Sequence, residues 1–275
     1  MKLLAWDTSS KAGALAALEW DHLSKEGVSG LKLVSEWSLN IDATHSERLL
    51  WGIHELLEAA RWKLEEVDLF GVGVGPGSFT GLRIGVTTAR TLAHTLNKPL
   101  IGVSSLAALA RPAAVWLSSQ KARTVIIAAT DACKGELFAL WGSARSIIDC
   151  ASMAEGDAPG LWKRGVEEKV VTPDELVKAV KKKLAEGTGE ASWVALGEGR
   201  QRYPEFWKKL PASKELEMAA PFSHQIQGRY VGLLVWEAYQ AGLAREALLV
   251  HPRYVRAADA EIKLKAGLLK KAPIG

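Results

Sequence analysis

The sequence predicts an α/β protein made of two modules of one kind, and three observations carry that prediction. Over residues 2–110, apolar strand-like runs alternate with helical patterns in the order β-β-β-α-β-α-β-α, a hairpin-started sheet followed by parallel crossovers. The alternation pivots on a glycine-rich loop, with Gly71, Gly73, Gly75 and Gly77 directly ahead of a helix. A second hairpin-like stretch, TVIIAATDACKGELFALW from Thr124, again leads into helices and strands, which points to duplication of one fold.

Taken in order, KLLAWDT is a short, continuously apolar run of the kind buried on both faces, and SSKAG is a turn. ALAALEW and LVSEWSLN are the second and third strands. A helix follows from about Thr44 to Arg61, opened by the capping box Thr44-x-x-Glu47 and burying Leu49, Ile53, Leu56, Leu57 and Ala60 on one face. DLFGVGV is the fourth strand, GPGSFTG a loop, and a second helix spans about Thr80 to Leu96 with Leu82, Val86, Ala89, Ala93 and Leu96 as its core stripe. PLIGVS is the fifth strand, and SLAALA a short helix ended by Pro112. In the second module SIIDCAS reads as a further strand and 151–170 as an irregular connection. Pro173–Ala185 reads as a helix, WVALGEG as a buried strand and about Ser223–Ala241 as a long helix. The lobes divide into 1–111 and 112–275, with the last helix expected to pack back on the first lobe.

The 275 residues are 48% apolar and 24% charged, a balance that suits a packed chain and not a disordered one. No apolar run reaches the ~20 residues of a membrane span. The N-terminus meets Asp7 too early for a signal-peptide core. Two cysteines, Cys133 and Cys150, make no disulfide framework, so a reduced cytoplasm is the expected compartment. Residues 1–110 hold 10 Lys/Arg against 12 Asp/Glu, a net −2 that leaves +6 of the overall +4 for the remainder. Much of it follows Val250, where Arg253, Arg256, Lys263, Lys265, Lys270 and Lys271 face only Asp259 and Glu261. That tail suits either RNA phosphates or plain solvation. The 11 tryptophans are dispersed and not interleaved with arginines, which points to core and interface packing.

Few residues offer chemistry. The glycine loop with a helix start behind it suits an anion, and equally a tight strand-to-helix turn with Ser78 or Thr80 as N-cap. Its spacing matches neither G-x-G-x-x-G nor G-x-x-x-x-G-K-[ST], and Ser78 lacks the frame of a nucleophile elbow. The six histidines contain no i, i+4 pair, and Cys133 reads as a plain buried thiol. Asp7, followed by Thr8 and Ser9 at the end of the first strand, is placed as a metal–phosphate ligand is in actin-like ATPases. The equivalent turn of the second module, Asp131 to Gly135, carries Cys133 and Lys134 where a phosphate loop wants small residues.

The helices say more. On the first, Trp51 falls opposite the core stripe among Glu47, Glu55 and Glu58, a stranded position that suits a partner anchor. On the second, Gly81, Ile84, Thr88, Thr91 and Thr95 form a line of small side chains rimmed by Arg83, Arg90 and His94. The candidate interface residues are therefore His45, Trp51 and His54 with Gly81, Ile84, Thr88, Thr91 and Thr95.

LLAWDTSS, HSERLL, VGVGPGSFTGLRIGVTTARTLA, KPLIGVSSLAALA, TDACKGELFAL, ALGEG and VHPRYVR, in that order, together resemble the bacterial TsaB (YeaZ) family, with GPGSFTGLRIG the most specific segment. The resemblance implies a two-lobed actin/Hsp70-like fold with no catalytic activity of its own. It implies pairing with the related TsaD, which transfers threonylcarbamoyl from threonylcarbamoyl-AMP to N6 of adenosine 37 in tRNAs reading ANN codons, with the ATPase TsaE joining. The pairing would use Thr44–Arg61 and Thr80–Leu96, through which isolated members also form homodimers. No cofactor of its own is implied, only ATP or ADP at the partner interface, and Asp7, Thr8, Ser9, Asp131 and Gly135 become vestigial phosphate-loop positions. Two other readings compete: an actin-like ATPase or small-molecule kinase, weakened by Cys133 and Lys134, and a metallopeptidase, for which the sequence shows no metal-binding histidine pair.

Overall fold

The computed structural model describes residues 1–21, 30–40, 45–119, 123–151, 166–186, 191–211, 214–216 and 224–255, with backbone alone at 39, 40, 45–47, 150 and 151. The basic tail beyond 255 and most of 151–165 lie outside the described residues.

Strand β1 (Lys2–Asp7) pairs antiparallel with β2 (Ala12–Trp20), and β2 with β3 (Leu31–Asn40). On its other side β1 pairs parallel with β4 (Leu69–Gly75), which pairs parallel with β5 (Leu100–Ser104), giving the order β3-β2-β1-β4-β5. Helix α1 (His45–Ala60) links β3 to β4, and α2 (Phe79–Thr95) links β4 to β5. Helix α3 (Ser105–Ser118) then leads to the second sheet, formed by β6 (Arg123–Asp131), β7 (Leu137–Ser143), β8 (Glu167–Val171) and β9 (Ala191–Leu196) in the order β8-β7-β6-β9. There β6, β7 and β8 pair antiparallel and β9 joins β6 parallel, after α5 (Pro173–Ala185). The second sheet thus repeats the first four strands of the first, and the duplicated actin/Hsp70-like arrangement is present.

The strands alternate faces with a period of two, and this sorts the core. Leu4 and Trp6 of β1 face α1 and α2 with Leu49, Ile53, Leu56, Val86 and Ala89. Leu3 and Ala5 face the opposite way, onto α3 and onto α8 (Gly228–Gln240), in a cluster that continues into Ile126, Ala128 and Leu140 of the second sheet. Outside that sheet Val125, Ile127 and Trp141 meet α5 and Trp207. Helix α8 lies close on the first sheet because glycines give it room. A Cβ on Gly71 would stand 2.4 Å from Val235, and one on Gly228 would stand 2.4 Å from the Leu15 backbone.

Three elements depart from the sequence reading. Pro112 does not end α3, which runs on to Ser118, because the residues after it, Ala113, Ala114 and Leu117, are buried between the lobes and hold the helix. Of SIIDCAS, Ser146–Ala151 belong to a helix, α4 (Ala144–Ala151), which Ser143 starts by accepting the Ser146 N–H at 3.1 Å, and Ser152 lies outside the described residues. Within 151–170, residues 167–170 belong to β8, an edge strand. Two short helices, α6 (Glu198–Arg202) and α7 (Pro204–Trp207), complete the second lobe, and the 3₁₀ turn Ala247–Leu249 leads to a strap over 250–255.

Candidate functional site

At the end of β1 the chain turns through Asp7, Thr8 and Ser9, all buried. The Asp7 Oδ1 accepts from the Ser9 N–H at 2.8 Å and the Ser9 hydroxyl at 2.6 Å, and its Oδ2 accepts from the Ser105 hydroxyl at 2.5 Å. The Thr8 hydroxyl donates to the Gly81 carbonyl at 2.7 Å, and the Ser9 carbonyl accepts from the Ser78 N–H at 2.6 Å. Ser78, not Thr80, caps α2, accepting from the Gly81 N–H at 3.2 Å. The glycines make this interlock possible. A Cβ on Gly73 would stand 1.7 Å from Asp7, on Gly77 2.3 Å from the Ser9 carbonyl, on Gly81 2.0 Å from the Thr8 carbonyl, and on Gly85 2.2 Å from the Thr8 hydroxyl. The loop is a tight strand-to-helix turn whose glycines lie directly against the chain's own Thr8 and Ser9.

The second turn is closed differently. Cys133, Lys134 and Gly135 all have positive φ, at 61°, 56° and 79°, the left-handed region that two of these three residues enter only at a cost. Asp131 accepts from the Cys133 N–H at 3.1 Å and the Tyr203 hydroxyl at 2.9 Å through Oδ1, and its Oδ2 pairs with Arg202 at 3.0 Å. Burial and the bond to Asp131 push the Tyr203 phenol up. Cys133 is exposed and free, which corrects the expectation of a buried thiol: the tip of a hairpin loop has nothing above it to cover the side chain. Among the described residues no three His, Cys, Asp or Glu side chains gather as a metal site. No described helix is long and apolar enough to cross a membrane.

The outer face of α1 and α2 carries the remaining candidates. Trp51 is 44% exposed, yet not stranded, since its ring lies 4.7 Å from that of Trp37 on β3 with Arg48 above it. His54 is exposed, and the His45 side chain lies outside the described residues. On α2, Thr91 and Thr95 are exposed, and Ile84 and Thr88 half-buried, with Ile84 against the core. Gly81 is no surface position: it is buried on Thr8, because the first turn of α2 presses into the β1 turn. A groove of about 350 Å³ runs between Thr87, Arg90, Thr91, His94 and Thr95 of α2 and Leu248 of the 3₁₀ turn. Leu50, Leu248 and Leu249 are exposed around this face and are missing from the sequence reading. Leu50 could have been found by extending the outward arc of α1 by one position. Nothing local to Leu248 and Leu249 signals that they return beside α2.

Two buried ion pairs, neither visible in sequence, join the lobes. Arg111 of α3 pairs with Glu237 of α8, and burial holds the guanidinium down and the carboxyl up. Glu168 of β8, its side chain fully buried, accepts from the Ser104 hydroxyl at 2.7 Å and pairs with Arg253 of the strap at 2.5 Å. Burial pushes its carboxyl up to about 7, against the opposing pull of Arg253 and Ser104.

Two mixed sheets of one connectivity, with both turn carboxylates tied within the chain, define a two-lobed actin-like protein, and its paired helices α1 and α2 carry exposed aromatic and aliphatic side chains. The model of the family TsaD, tRNA N6-adenosine threonylcarbamoyltransferase, matches residues 39–264. The chain is similar to the tRNA threonylcarbamoyladenosine biosynthesis protein TsaB of Escherichia coli K12, 30% identical over 209 residues, 76% of each chain. It is 28% identical to that of Haemophilus influenzae over 198 residues, 70% of this chain and 74% of the other. The solved YeaZ from Pseudomonas aeruginosa superimposes with a TM-score of 0.62 at 26% identity, covering 91% of this chain and 98% of that one. The chain belongs to the TsaB (YeaZ) family of tRNA threonylcarbamoyladenosine biosynthesis proteins.

Proposed function

We propose that the chain is the non-catalytic partner of a TsaD-like transferase. In this reading the pair, joined by a TsaE-like ATPase, places threonylcarbamoyl on N6 of adenosine 37 in tRNAs reading ANN codons. The observation that carries the partner role is the outer face of α1 and α2, where Leu50 and Trp51 of α1 lie exposed and Thr91, Thr95 and Leu248 line a groove beside α2. Exposed tryptophan and leucine beside small side chains suit a helix pair that buries them. The same face pairs with a second copy when the partner is missing. ATP or ADP is assigned to the partner interface, since Asp7 and Asp131 are engaged within the chain, and this argues against independent ATP hydrolysis. Exposed Cys133 suits a reduced cytoplasm.

The test is co-purification with a TsaD-like protein, followed by assay of threonylcarbamoyladenosine in tRNA with and without this chain. Trp51→Glu combined with Thr91→Glu is expected to abolish both association and modification without unfolding the chain. Modification that proceeds equally well without the chain, or association that survives the double substitution, would overturn the reading.

A further inference from the structure

The exposed aromatics at Trp51 and at Phe79 have unlike charged neighbours. Trp51 shares its helix face with exposed Glu55 and Glu58. The other patch sits at the start of α2, where Phe79, 39% exposed, and Tyr254 of the strap, 43% exposed, meet with ring centroids 4.8 Å apart and planes tilted by 36°. The Arg83 guanidinium lies 4.1 Å over the Phe79 ring, and its Nε donates to the Tyr254 hydroxyl at 3.3 Å. Neither ring belongs to any of the three core clusters, so their exposure is not the edge of core packing. Arg83 forms no ion pair with any described carboxylate. Glu168, the carboxylate that holds the strap, is fully buried on Arg253 and so adds no negative charge to this surface. In sequence, the twenty residues that follow Val255 carry Arg256, Lys263, Lys265, Lys270 and Lys271 against Asp259 and Glu261.

A ring pair held in place by an arginine that no described carboxylate neutralises suits a polyanion with stackable faces. A protein helix needs apolar burial, which Trp51 and the leucines offer; a nucleobase needs a π-face and a cation nearby. We propose that Phe79, Arg83 and Tyr254 form a stacking platform for an unpaired base of single-stranded RNA. This goes beyond the partner role, which requires no RNA contact by this chain, and it concerns the start of α2, whereas the groove lies along Thr87–Thr95 of the same helix. Arg83 touches both rings and holds them together before the base arrives, so little side-chain freedom is lost on binding. Arg83 supplies the salt-sensitive attraction, and the rings supply the preference for unpaired bases.

The experiment measures binding of the full chain to a fluorescent, unstructured single-stranded RNA of about 12 nucleotides and to a duplex of the same sequence. Phe79→Ala with Tyr254→Ala is expected to weaken single-strand binding at least about fivefold, whereas Phe79→Trp keeps it. Arg83→Gln, confined to the surface, is expected to weaken it with an unchanged thermal midpoint, which guards against a double variant that fails to fold. Duplex binding should be weaker and indifferent to all three changes. Single-strand affinity unmoved by Arg83→Gln and by the paired alanines, or wild-type binding that is equal for single strand and duplex or is lacking altogether, would overturn the proposal.

Discussion

Gly73 has no side chain because Asp7 occupies the place where one would go: a Cβ at residue 73 would stand 1.7 Å from the Asp7 Oδ2. That oxygen is the one held by Ser105 at 2.5 Å, and Ser105 in turn accepts from the Gly75 N–H at 3.1 Å. The glycine of β4, the carboxylate of β1 and the first hydroxyl of α3 are thus one unit. Gly73→Ala must drive the carboxylate out of this unit and leave a buried hydroxyl and N–H short of a partner. The expected loss of stability is about 2–4 kcal/mol, from overpacking together with an unsatisfied buried group. Urea unfolding measures it, and a loss below about 1 kcal/mol would show that the Asp7 unit is soft.

The outward stripe of α2 is not uniform, although helical spacing alone makes it look so. Ile84 packs against the core beneath α1 and α2, whereas Thr91 is exposed beside the groove. Ile84→Asp should therefore destabilise the isolated chain by about 2 kcal/mol or more, through lost burial and a desolvated charge. Thr91→Asp should stay within about 0.5 kcal/mol. Equal losses in denaturant titrations would contradict the burial difference between the two positions.

What can be read along the chain follows the range of the interactions. Helices α1 and α2 are legible because Leu49, Ile53, Leu56 and Leu57, or Leu82, Val86, Ala89 and Ala93, repeat at the helical period and are the residues that are buried. The strand β1 is legible because it is apolar on both faces. Helix α4 reads wrongly because Ile147 and Ile148, side by side and β-branched, look like a strand, while the true signal is Ser143 three residues ahead of Ser146. Nothing local shows that Val235 fits over Gly71, that Trp37 meets Trp51, or that Tyr254 returns to Phe79. These contacts join residues far apart in sequence, and they decide which small residues are surface and which, like Gly81, are interior.

Cys133 stands exposed at the tip of the β6–β7 turn with φ at 61°. A thiol there is open to reagents without any unfolding. Ellman's reagent is expected to consume this thiol in the native protein at a rate unaffected by low denaturant, and Cys133→Ser should remove that phase. A reaction that appears only once the chain is unfolded would return Cys133 to the interior.

Glu168 makes the junction of the lobes sensitive to pH. Its neighbours are the Ser104 hydroxyl, which also caps α3 by accepting from the Ala107 N–H at 3.1 Å, and the Arg253 guanidinium. Burial raises the folded-state carboxyl to about 7 from an ordinary 4.5. Between those two values the folded chain keeps a proton that the unfolded chain has already released. Stability from this group therefore falls as pH rises through that window, and the loss is complete above about 7, amounting to at most about 3 kcal/mol. Glu168→Gln removes the titration but keeps an oxygen for Ser104. Below about 7 the natural carboxyl is protonated and, like the glutamine, puts no charge beside Arg253, so the two chains differ in charge there only at higher pH. The informative quantity is then the difference between two differences. From pH 5 to pH 8, unfolding free energy in urea should drop by more in the natural chain than in Glu168→Gln. Parallel pH profiles for the two would mean that Glu168 ionises freely in the folded protein, and that its carboxylate is satisfied by Arg253 without penalty.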